Sequence, residues 1–295
     1  MKRASLRRTA VLFLILGISL AAGTGAGAQN PPEQEELSEE LATFVRSRWE
    51  AIEQESSILP DEEWVGRYRS QNGPTTSTFM AWSPASGFMI WRENCSRPST
   101  TRVNYGTAEY TNGALKLSAQ LSENIPGYYE VAPEFIPVKW GEQHFLIPSD
   151  RMINFVYAVN STSFMEVESF LIKIEDQVKP RKGQPNLPEE YRKYLGMKPI
   201  MATLSALGPK VKRWYPKLIL NVGRAEGVVQ GMKFYISRPE TVYMQLVVTD
   251  VQEHTSEAFV ITTTFTDNRQ GDVEPKVGWK FTSRAPADNW EKDPG

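Results

Sequence analysis

The sequence predicts a mainly β fold of the α+β type, made of an N-terminal amphipathic helix, an antiparallel sheet domain with a covering helix, and a small C-terminal β-barrel-like domain. Three observations carry this. From Trp64 onward apolar residues recur at every second position, the period of a strand with one buried face. Short polar turns break these runs at hairpin spacing, most plainly Asn112-Gly113 between "NYGTAEY" and "ALKLSAQL". Apolar residues at helical spacing are confined to two longer stretches, 35–55 and 150–159.

Residues 1–28 read as a secretory signal peptide. Lys2, Arg3, Arg7 and Arg8 precede the apolar run "AVLFLILGISLAA", and Ala26, Gly27 and Ala28 supply an A-x-A-like cleavage site. The apolar run is shorter than the roughly 20 residues a helix needs to cross a bilayer, so no stable membrane span is expected after cleavage. Thr9 and Ala10, following the arginine pair, favour general secretion over the twin-arginine route. Cys95, the lone cysteine, is too far from the cleavage site to carry a lipid anchor at the start of the mature chain. It reads as a buried small hydrophobe or an intermolecular partner. A periplasmic or secreted location follows.

Charge narrows the partners. The 295 residues include 33 basic and 35 acidic ones, and without the four basic residues of the signal segment the net charge moves from −2 to −6. A mildly acidic chain lacks the field that draws proteins onto nucleic acid or anionic lipid, so nucleic acid is not an expected partner.

Residues 29–63 form a polar leader and then the amphipathic helix. Leu37, Leu41, Phe44, Val45, Trp49 and Ile52 fall on one stripe, which must lie against something. Docking on the following domain is favoured over a coiled coil because the stripe spans too few heptads. Residues 64–178 hold the antiparallel β domain. Hairpins are expected at "TSTFMAW" with "GFMIWRE", around Asn112-Gly113, and in "EFIPVKWGEQHFLIP" with Gly141 at the bend; helix 150–159 covers the sheet. The proline-rich stretch 179–198 reads as a linker with one short helix, since each proline deletes a backbone donor. Residues 199–285 return to alternating runs and form the barrel-like domain, and 286–295 are a polar tail.

The glycines of "NVGRAEGVVQGMKF", Gly223, Gly227 and Gly231, have two readings. A phosphate loop needs a following helix whose first turn faces the anion, together with the lysine and hydroxyl of a nucleotide-triphosphate site. "MKFYIS" follows instead and alternates as a strand, so the glycines read as structural turns. The stretches "LILNVGRAEGVVQGMKFYIS", "VVTDVQEHTSEAFV" and "GDVEPKVGWKF" share a strand, a glycine-spaced corner, a polar hairpin and a late Gly-Asp. In this pattern they resemble the small β-barrel modules of periplasmic assembly proteins, the MreC-type rod-shape scaffolds and the C-terminal module of FlgT-type flagellar proteins. The resemblance implies a noncatalytic module used in assembly. "SRPETVY" stands where those modules carry a glycine-containing turn. "APEFIPVKWGEQHFLIPSD" looks like a segment of exported bacterial proteins and implies no activity.

Catalytic patterns are sparse. His144 and His254 lie on either side of the expected domain boundary and lack metal-ligand spacing, and "NCSRP" around Cys95 has no nucleophile architecture. Neither a metal site nor a cofactor is expected. Glu130 and Glu134 in "GYYEVAPEF" are the candidate carboxylate pair for sugar chemistry. Trp82 and Trp91 flank an apolar hairpin and read as packing, whereas Tyr128, Tyr129 and Trp140 are candidate surface contacts for a sugar or peptide. The reading is an exported noncatalytic cell-envelope protein that assembles with or binds an envelope protein or glycan. A glycan-binding module and a carboxylate-dependent glycan-active enzyme are the alternatives.

Overall fold

Alternation of apolar and polar side chains closes into two barrels. The computed structural model describes residues 39–59, 62–71, 75–94, 102–123, 128–161, 167, 169–211, 215–236, 242–265 and 273–284. Residues 1–28, read as a signal peptide, the residues expected as a leader, Cys95 and the expected tail 286–295 lie outside them.

The first barrel runs in sequence order through β1 (Gly66–Gln71), β2 (Thr76–Ser83), β3 (Gly87–Asn94), β4 (Arg102–Thr111), β5 (Ala114–Ala119), β6 (Glu134–Trp140), β7 (Gln143–Pro148) and β8 (Leu171–Lys173). Every neighbouring pair is antiparallel, as short connections allow. The strand period fixes its interior: Tyr68 lies opposite Met80, Met80 lies opposite Ile90, and all three are buried. The sequence predicts a sheet here, and the structure adds its closure. Ile172 of β8 pairs with both Arg69 of β1 and Phe145 of β7. A three-residue strand is too short for a two-residue period to be read from it.

The helix expected at 35–55 is present as α1 (Glu39–Ile58) and docks on the outside of this barrel. Ile52, with no exposed surface, packs against Ala81, Met89 and Val103 of β2, β3 and β4. Trp49 meets Trp91 edge-on, ring centroids 4.6 Å apart. Arg48 donates to the Phe88 carbonyl at 3.3 Å and to the Gly106 carbonyl at 2.5 Å. Two turns on, the Glu55 carboxylate accepts from Ser83 Oγ and from the Ala85 and Ser86 amides at 2.7 to 2.8 Å, capping the β2–β3 turn.

The covering helix, α2 (Met152–Ser161), follows a 3-10 turn at Ser149–Arg151. Met152, Phe155 and Val156 pack on the outer face of β6 to β8 with Phe145, Ile147 and Ile172. Ile153 and Tyr157, four apart and so on one face, belong instead to the core of the second barrel. Segment 179–198, read from its prolines as a linker, lies along the first barrel. Asn186 N–H donates to the Lys139 carbonyl, Gln143 Nε2 donates to the Lys179 carbonyl, Leu187 is buried, and α3 (Glu189–Arg192) follows.

The second barrel comprises β9 (Met201–Val211), β10 (Tyr215–Leu220), β11 (Lys233–Ile236), β12 (Val242–Val251), β13 (Ser256–Phe265) and β14 (Lys280–Thr282). Its order is β10-β13-β12-β11-β14-β9, closed between β9 and β10. Leu204, Leu218, Phe234, Leu246 and Phe281 fill it. The described residues of both barrels belong to one compact unit.

Candidate functional site

The interior of the first barrel is packed at its middle and open at one mouth. There the inward side chains shorten to Ser70 on β1 and Thr78 on β2, both buried, beside Ile90, Phe135 and Leu171. Above them is a cavity of about 370 Å³. Its wall is completed by segment 129–133 on one side and by Asp150, Arg151 and Phe170 on the other. A volume in this range suits a small ligand. The wall is held by Asn104, which is fully buried in β4. Asn104 Nδ2 donates to the Tyr129 carbonyl at 2.9 Å, and its Oδ1 accepts from the Tyr105 and Leu121 amides. Tyr129 N–H donates to the Val103 carbonyl at 3.1 Å, beside the parallel bridge that Tyr128 makes to Val103. Segment 128–129 is therefore anchored to β4 while segment 129–133 lines the opening.

Three charged side chains stand in the cavity wall. Glu130 and Asp150 are exposed and Arg151 is half-buried, with its guanidinium 5.0 Å from the centroid of the Phe170 ring. The cavity therefore combines an apolar well with charges of both signs.

The opposite end of the same barrel carries a second polar cluster. His144 Nδ1 contacts Asp176 Oδ2, and its Nε2 lies 3.0 Å from Glu63 Oε1. Lys139 Nζ reaches Glu63 at 2.6 Å, and Lys173 Nζ donates to the Glu63 carbonyl at 2.7 Å. Burial pushes the Asp176 carboxyl up, but hydrogen bonds from Lys179 and His144 outweigh it and hold the group below its ordinary range. Hydrogen bonds from Lys139 and then His144 hold Glu63 below its ordinary range as well. Burial lowers Lys173. An Asp-His pair can orient a general base, but its second nitrogen must then meet a nucleophile. Here that nitrogen meets Glu63, so the cluster braces the chain entering β1 against β6 and β7. Among the described residues no group of His, Cys, Asp and Glu has the geometry to hold a metal ion.

The residues singled out in the sequence are dispersed. Tyr129 and Glu130 line the cavity, and Tyr128 adjoins it through its bridge to Val103. Trp140 lies elsewhere: it packs with the outer core around α2, its Nε1 donates to the Gly183 carbonyl at 2.9 Å, and Arg181 lies 5.7 Å from its ring centroid. Glu134 sits on β6 opposite Lys116 and does not line the cavity with Glu130. At the glycine corner Gly223 N–H donates to Glu226 Oε2, Gly227 N–H to the Arg224 carbonyl and Gly231 N–H to the Val248 carbonyl. All three amides are thus committed within the fold. His254 is exposed, with Nδ1 3.3 Å from Glu226 Oε1. Asn104, Asp150 and Arg151 were missed by sequence reasoning. In the sequence either Ser149 or Asp150 can cap the helix at 150–159, which does not mark a site, and nothing local marks Asn104.

Fold and cavity together define an antiparallel two-barrel protein with a ligand-sized opening in its first barrel. No protein-family model, curated protein or solved structure matches the chain. Among the described residues no helix is long and apolar enough to cross a membrane.

Proposed function

We propose that this chain is an exported, noncatalytic binding protein of the cell envelope that takes its partner at the mouth of the first barrel. The observation that carries this reading is the cavity of about 370 Å³ bounded by Tyr129, Glu130, Arg151 and Phe170. Eight-stranded barrels have interiors just wide enough for side chains or one small ligand, and here the side chains leave space at one end. The basic, apolar and small residues of 1–28 support export. The commitment of both His144 ring nitrogens to carboxylates, and the placing of Glu134 outside the cavity wall, support binding over catalysis.

The test uses the mature chain, 29–295, sedimented with purified peptidoglycan and separately with membrane-protein extracts of the envelope. Ala132, in the cavity wall, is changed to Trp to fill the opening, and Tyr129→Ala serves as a second variant that adds no bulk. At least about a fivefold loss of association is expected in both, the effect of losing one well-packed contact. Association unchanged in both would refute the mouth as the binding site. Polymer cleavage that disappears in Glu130→Gln would establish the glycan-active enzyme instead.

A further inference from the structure

We infer that the mouth of the first barrel selects a short zwitterionic peptide, with its ammonium on the Glu130 and Asp150 carboxylates, its carboxylate on Arg151 and its apolar side chains in the well. This rests on the reading of the mouth as the binding site. Several charged side chains at the other end of this barrel are matched. Arg67 joins Glu53 and Glu175, Lys139 joins Glu63, and Lys179 joins Asp176. Around the cavity, among the described residues, Glu130, Asp150 and Arg151 take part in no ion pair or hydrogen bond through their side chains, so all three charges face the opening without an ionic protein partner.

The charge set decides between ligand classes. An anion meets two carboxylates against one guanidinium. A simple cation meets the carboxylates and leaves Arg151 opposed. A neutral sugar answers none of the three as an ion. Only a ligand with both signs complements the whole rim, and like-charge juxtaposition is what excludes the others. Phe170 holds the Arg151 guanidinium by a cation–π contact, which leaves its planar edge available for a bidentate carboxylate. Ile90, Phe135 and Leu171 make the floor apolar, and the volume exceeds what a single small amino acid fills. A peptide a few residues long meets both requirements.

The experiment is titration calorimetry of the mature chain with alanyl-leucyl-alanine, its N-acetyl form, its C-terminal amide and the neutral disaccharide chitobiose. The free peptide is expected to bind about fivefold tighter than either capped form, a size set by partly exposed charge pairs. Arg151→Gln should equalise the free peptide and its amide. Glu130→Gln with Asp150→Asn should equalise the free peptide and its N-acetyl form. Equal binding of capped and free peptides, discrimination that survives these variants, or no peptide binding at millimolar concentration would each overturn the inference. Chitobiose binding that ignores the charge variants but is lost in Ala132→Trp also overturns it, while leaving the mouth as the site. Peptide binding that persists in Ala132→Trp and in Tyr129→Ala overturns both.

Discussion

His144 and Asp176 are joined twice: the ring Nδ1 lies 2.5 Å from Asp176 Oδ2, and the main-chain N–H of His144 donates to the same oxygen at 3.0 Å. Asp176 is only 2% exposed, so its charge depends on these partners and on Lys179. Removing one member of a buried pair leaves the other without compensation. Asp176→Asn keeps the shape and deletes the charge. It should lower the unfolding free energy by about 3 kcal/mol, read from urea denaturation. A loss under about 1 kcal/mol would show that the pair contributes no more than an exposed one.

The acid limb of stability follows from the same carboxylates. Glu63 and Asp176 are held below their ordinary values of 4.5 and 3.8. Folding therefore favours their ionised forms, and the stability they contribute is present above those values and is lost as pH falls through the lower folded ones. Urea midpoints should change little between about pH 6 and 5 and drop below about pH 4. The drop should be shallower in Glu63→Gln with Asp176→Asn. The same slope in wild type and double variant would assign the acid sensitivity to other groups.

Ile52 joins α1 to the first barrel. It has no exposed surface, and the groups around it, Ala81, Met89 and Val103, belong to three different strands and cannot close together over a void. Ile52→Ala should cost about 2–5 kcal/mol. Amide exchange should report the loss in β2 to β4 more than in the second barrel. Equal loss in both barrels would contradict the local docking of α1.

Two glycines of the same corner should respond differently to alanine. A Cβ on Gly223 would lie 2.4 Å from the Gln252 carbonyl oxygen and 2.6 Å from the Thr255 nitrogen, so the β12–β13 turn would have to move. A Cβ on Gly227 would meet the flexible end of Met197 at 3.3 Å and Ile200 Cδ1 at an ordinary 3.9 Å, and its cost is the left-handed backbone, φ 86°. Gly227→Ala should cost about 1–2 kcal/mol, and Gly223→Ala more. Thermal melting of the two variants checks the order, and a larger loss for Gly227→Ala would reverse it.

Glu55 should behave as a cap. Glu55→Ala removes the acceptor for Ser83 and for two turn amides. The expected loss is about 1–2 kcal/mol in the urea midpoint analysis, the range for a side chain that satisfies otherwise unpaired backbone donors. An unchanged midpoint would show that water replaces the carboxylate at no cost.

The strands were legible because their pattern is local. Leu115 and Leu117 face inward and alternate with exposed Lys116 and Ser118, and Asn112-Gly113 forms the expected tight turn with both φ positive, 52° and 76°. The α2 stripe was legible for the same reason, although its periodicity could not say that Ile153 and Tyr157 serve a different core from Phe155. Closure was not legible, since β8 has three residues. The polar clusters were not legible either. Glu63, His144 and Asp176 lie far apart in the chain and meet only because β1, β7 and the turn after β8 end at one side of the barrel. Tyr129 and Glu130 stood out by composition, yet their companions Asp150 and Arg151 arrive from across the opening.

Helix α2 is oily on two flanks, and each flank belongs to a different barrel. Severing the chain in 179–198 would leave that helix in the N-terminal fragment with the flank of Ile153 and Tyr157 bare. The prolines there mark a poor place to cut, and the halves are better regarded as conjoined twins with a shared organ than as beads on a string.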